Sequence, residues 1–71
     1  MEYVIKYKTV IFNAVRTFTK TSDRNDAISE MRDLVFFHDA QTAWIEVDGK
    51  IIDQFTYTPE VRDAIKAVDS L

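Results

Sequence analysis

The chain has 71 residues, of which 46% are hydrophobic and 30% charged, and it contains no cysteine and one histidine. That composition reads as a single globular domain over residues 1–71. It excludes disulfides and thiolate metal sites and leaves too few histidines for an imidazole-based one. Net charge is −3 but divided. Residues 1–20 hold Lys6, Lys8, Arg16 and Lys20 against Glu2, a balance of +3, while residues 21–71 hold five cations against eleven carboxylates, a balance of −6. Such a division offers one basic and one acidic surface to different partners.

Residues 3–19 are rich in Val, Ile, Tyr, Phe and Thr, the residue types of pleated, half-buried surface. Tyr3, Ile5 and Tyr7 alternate with Lys6 and Lys8, the period of a strand with one wet face. The alternation slips at Val10-Ile11-Phe12. Two strands broken near Asn13-Ala14, or one long bulged strand, both fit. Ser22 can cap a helix, with Asp23 and Asp26 complementing its dipole. Ala27, Ile28, Met31, Leu34 and Val35 form its apolar stripe. Phe36 and Phe37 fall off that stripe, so the helix ends before them or they point away, with burial the expectation for both.

Residues 42–57 predict a hairpin around Asp48-Gly49, the strongest short-range hairpin signal. A three-residue loop with Gly49 as its left-handed residue pairs Ile45 with Ile51, Trp44 with Ile52 and Glu46 with Lys50. This register sets apolar against apolar and adds an opposite-charge pair. One face is then Ala43, Ile45, Ile51, Asp53 and Phe55; the other is Trp44, Glu46, Lys50, Ile52 and Gln54. Thr58 and Pro59 open a final helix with Glu60 in its first turn and Val61, Ala64, Ile65 and Val68 on its stripe. The order β(β)αββα predicts an α+β fold, a small two-layer sandwich of two helices on an antiparallel sheet of three or four strands.

No group of residues reads as a catalytic set, and the expectation is a non-enzyme without cofactor or metal. His38-Asp39 is an ordinary helix terminus. Asp53 shares its expected face with Ile51 and Phe55, which places it at a sheet margin. Asp39, Asp48 and Asp53 lack the spacing of a calcium loop, and one glycine cannot build a phosphate cradle. No apolar run is long enough to span a bilayer and no leader is evident at Met1-Glu2-Tyr3-Val4, so the expected location is cytoplasmic and off the membrane. Aromatic side chains are left over. Trp44 beside Ile52, rimmed by Glu46 and Lys50, has the apolar centre and charged rim of a protein-binding patch unless a helix covers that sheet face, and Phe36 and Phe37, off their helix's stripe, join it as partner-binding candidates. The alternative is a nucleic-acid face on the basic N-terminal segment: Lys6, Lys8, Arg16 and Lys20. A homodimer joined through strand edges is a third reading.

In element order, with Met1–Lys20 followed by a helix and the hairpin Ala43–Phe55, the chain resembles the small accessory proteins of bacteriophages, in particular an antitoxin that blocks a host RNase toxin. The resemblance implies an inhibitor or antitoxin that binds a host protein, and the eleven carboxylates of residues 21–71 can imitate the spaced phosphates of nucleic acid. It assigns no individual residue a role.

Overall fold

The computed structural model describes residues 1–9, 11 and 14–69. Six elements follow in the order ββαββα: β1 (Tyr3–Thr9), β2 (Arg16–Thr21), α1 (Arg24–Phe37), β3 (Ala40–Val47), β4 (Lys50–Thr56) and α2 (Pro59–Asp69). The strands form one antiparallel sheet in the order β2-β1-β3-β4. The expected α+β architecture is present, and the N-terminal segment is two strands rather than one. Of the expected break at Asn13-Ala14, Ala14 is a bend between the strands, and Asn13 lies outside the described residues.

Alternation sorts the strands into two faces. Ile5 pairs with Ile45 and Tyr7 with Ala43 on the face beneath α1. The helix answers with Ala27, Met31, Leu34 and Val35, spaced to lie on one side. These side chains, with Ala40, form a core that is almost fully buried. Tyr3, Tyr7, Ile28, Phe55 and Val61 pack around it.

The helix begins one residue later than Ser22 suggests. Asp23 is the N-cap, and its Oδ1 accepts from the backbone N–H of Asn25 at 2.8 Å and of Asp26 at 3.4 Å. A carboxylate serves that position as well as a hydroxyl and also complements the dipole. His38 is the C-cap, its backbone N–H donating to Leu34 O at 3.2 Å. Phe36 and Phe37 stay within the helix. Phe36 is half-buried, but Phe37 is 69% exposed, against the expectation of burial.

The hairpin departs from the expected register. Val47 pairs with Lys50 across a two-residue turn, with Asp48 at φ 53° and Gly49 at φ 78°. Positive φ at both central residues is the type I′ geometry whose twist matches that of paired strands. Glu46 then opposes Ile51, and a bulge resets the pairing to Ile45↔Asp53, Trp44↔Gln54 and Ala43↔Phe55. Without the bulge the tight turn would set Ile52 opposite Ile45 and Gln54 opposite Ala43; the bulge brings Phe55 to the α1 side and places Asp53 there with it.

After β4, the Tyr57 N–H donates to Gln41 O at 2.7 Å and adds one more rung between the strands. Thr58 caps α2, its Oγ1 accepting from the Val61 N–H at 3.2 Å, and Pro59 takes the first helical position. The molecule measures 38 × 26 × 15 Å. Its least dimension is that of one helix layer on one sheet.

Candidate binding surfaces

Because α1 covers a single face, the opposite face of the sheet is uncovered by any helix that contacts it closely. Cross-strand partners share a face. The register therefore gathers Val4, Lys6 and Lys8 of β1, Lys20 of β2, and Thr42, Trp44 and Glu46 of β3 there. Gln54 and Thr56 of β4 join them opposite Trp44 and Thr42. Ile51 opposes Glu46, and Ile52 is the unpaired residue before Asp53, so both isoleucines also fall on this face. They are exposed, at 57% and 46%.

Trp44 sits in the middle of that face, yet it is only 7% exposed. Its indole Nε1–H donates to Glu46 Oε2 at 2.7 Å, and the other carboxylate oxygen meets Lys6 Nζ at 3.1 Å. The indole hydrogen bond, then the Lys6 ammonium, hold the Glu46 carboxyl below the usual glutamate range. Thr42, Gln54 and Thr56 continue the polar network beside it: Gln54 Nε2 donates to Thr42 Oγ1 at 3.3 Å, and the two threonine hydroxyls are 3.1 Å apart. An expected apolar centre is thus a sealed indole under a polar net. The expected Glu46–Lys50 pair does not form. Lys50 opposes Val47 instead, on the α1 side of the sheet, because the tight turn shifts β4 by one residue.

The other predicted partner-binding residues lie elsewhere. Phe36 and Phe37 are at the C-terminal end of α1, where Phe36 stacks at 5.5 Å on Phe55 and Phe37 faces solvent. Phe36 lines a cleft of about 530 Å³ together with Val35, Ile11, Tyr57 and Ile65. The cleft lies where the ends of β1 and β4, the start of β3, α1 and α2 converge, and its walls are chiefly apolar. Around it Ile11 is 86% exposed. Tyr57, also in its wall, is exposed too. Sequence reasoning assigned Ile65 to a core stripe and gave Ile11 and Tyr57 no role. The available signal was that α2 brings a second apolar stripe to a sheet whose covered face α1 already fills.

Of the predicted basic set, Lys6, Lys8 and Lys20 share the open face. Arg16 does not: it opposes Tyr7, on the α1 side. Asp53 opposes Ile45 on that same side, half-buried on an edge strand, and its Oδ1 accepts from the Gln54 N–H at 2.9 Å. Among the described residues no group of three or more His, Asp or Glu side chains is placed to hold a metal ion, and no helix is long and apolar enough to cross a membrane. Compared with protein-family models, curated proteins and solved structures, the chain matches none.

Proposed function

We propose that the chain is a small, non-enzymatic protein-binding module that acts by occupying a surface of another protein, as an inhibitor or antitoxin of the phage type does. The cleft at the end of α1 carries the reading. It is apolar, large enough to take several side chains of a partner, and bordered by the exposed side chains of Ile11 and Tyr57. Exposed apolar surface around a concave, apolar floor is the anatomy of a docking site. Aromatic residues there are the natural anchors, since truncating an interface hot spot costs about 2 kcal/mol or more.

The test is capture by the tagged chain from nuclease-treated lysate of its source cells, with the native chain and an Ile11→Asp/Tyr57→Ser variant side by side. The expected result is a stoichiometric protein partner held by the native chain and lost by the variant. Both replaced side chains are exposed, so the variant keeps its fold. Capture of the same protein equally well by both would move the site away from the cleft, and recovery of the chain alone would end the proposal.

A further inference from the structure

The cleft leaves the open sheet face without a role, and that face has a charge of its own. Its strands bear three cations, Lys6, Lys8 and Lys20, and a single carboxylate, Glu46. The balance is +2 on a chain of net −3, so the remainder of the molecule carries −5. Glu46 is already satisfied by the indole N–H and by Lys6. Among the described residues, neither Lys8 nor Lys20 is in an ion pair. The three lysines form a diagonal. Lys20 on β2 sits opposite Val4, Lys6 follows two residues along β1, and Lys8 two further. Successive residues on one face of a strand are about 7 Å apart, so the diagonal is an extended row of positive charge rather than a point.

We propose that this open face binds a single-stranded nucleic acid along the Lys20–Lys6–Lys8 row, through its phosphates. The charge is complementary to a polyanion, and among the described strand residues of this face the one carboxylate, Glu46, is paired with Lys6. Thr42 stands opposite Lys8, with Gln54 and Thr56 one strand further on, so hydroxyl and amide groups extend from the row across a sheet surface that suits an extended strand. An acidic protein segment is the competing ligand. It is disfavoured because the exposed aliphatic pair, Ile51 and Ile52, sits on the opposite edge strand β4, with β1 and β3 between it and Lys20. Trp44 is sealed against the sheet and donates its N–H to Glu46, so bases do not stack on it. Binding is consequently electrostatic and indifferent to sequence. Two to three phosphate contacts give a slope of log affinity against log salt of about −1.4 to −2.1, so affinity falls about seven- to eighteen-fold between roughly 50 and 200 mM salt.

The experiment is fluorescence anisotropy of a labelled oligothymidylate strand titrated with the native chain, with Lys8→Gln/Lys20→Gln, and with Arg62→Gln/Lys66→Gln. The last variant removes the same charge from α2. The expected outcome is binding with the stated salt slope, weakened at least tenfold by the sheet variant and little changed by the α2 variant. No anisotropy change in roughly 50 mM salt would overturn the proposal. Equal weakening by both variants would overturn it as well, because net charge rather than the row would then govern binding. Poly-L-glutamate run in parallel separates the competing ligand: if it binds with the same lysine dependence while the oligonucleotide does not, the face takes acidic protein and the nucleic-acid reading fails. Far-UV spectra and unfolding midpoints equal to native show that both variants are folded.

Discussion

A carboxylate that accepts from an indole N–H and pairs with an ammonium at once is an uncommon amount of order for the uncovered side of a sheet. Glu46 does both, and its pKa is held below the ordinary range, first by the Trp44 hydrogen bond and then by Lys6. A depressed carboxyl pKa contributes stability at pH above the unfolded value, and that contribution is lost as pH falls through the folded value. Acid unfolding followed by the fluorescence of Trp44, the only tryptophan, should therefore steepen through and below the ordinary glutamate range. In Glu46→Gln, which keeps an acceptor for the indole but loses the charge, this part of the pH dependence should vanish. An unchanged acid limb would show that Glu46 is not coupled to folding. Gly49 is the second residue whose chemistry is dictated locally. It holds φ at 78°, and a Cβ there would touch nothing within 4 Å. Gly49→Ala thus meets no clash but bears the left-handed backbone penalty, about 1–2 kcal/mol, readable as a drop in urea midpoint at constant m-value.

Among the elements, α1 and α2 differ in how they are held. Four side chains of α1 are buried against the sheet, whereas α2 contributes Val61 to the edge of the core and Ile65 to the wall of the cleft. An 11-residue helix has little stability of its own, so α2 leans on its cap. Thr58→Ala removes the acceptor of the Val61 N–H, a loss of about 1 kcal/mol. The expected effect is local: faster amide exchange throughout α2, with β1 and β3 unchanged, measured by native-state hydrogen exchange. Uniform acceleration would mean that α2 and the sheet open together. Element identity was legible because each element carries its own period and punctuation: the Thr58-Pro59 start, the Asp48-Gly49 turn, and the Ala27, Met31, Leu34, Val35 stripe. Strand register was not. Matching apolar with apolar across the hairpin selected a longer loop, because a bulge leaves no mark in the sequence beyond two adjacent isoleucines. The candidate sites suffered for the same reason. Lys50 changed faces with the register, and Trp44, which shares a face with Glu46 by simple alternation, is sealed by a contact with Lys6 that only the β1–β3 pairing brings about. Lys6, Lys8 and Lys20, set by simple alternation and one crossing, share a face, whereas Arg16 is turned to the other by the shift in β1–β2 pairing that lies between Ile5 and Lys6.

For the molecule as a whole, one helix on one sheet means that nearly all the burial is on one side. Ile5, Leu34 and Ile45 are its largest fully buried side chains, and they meet between α1 and the central strands. A chain of this length has a stability of about 4–11 kcal/mol at typical per-residue values. Truncating a buried leucine costs about 2–5 kcal/mol, more where the cavity cannot collapse. Leu34 lies on the middle of the buried stripe and is 1% exposed, so Leu34→Ala should remove a large share of the total and leave a substantial unfolded population at physiological temperature. Ile52→Ala, at the same sheet but on its uncovered face, removes a methylene-rich side chain from water instead and should change stability by no more than about 0.5 kcal/mol. Urea unfolding of the two variants measures the difference directly. A large loss from both would mean that the open face is covered in solution, by a second copy or by α2, and the lysine row would then be no free surface. A large loss from Leu34→Ala alone places the stability of this thin molecule under α1 and leaves the other face free to bind.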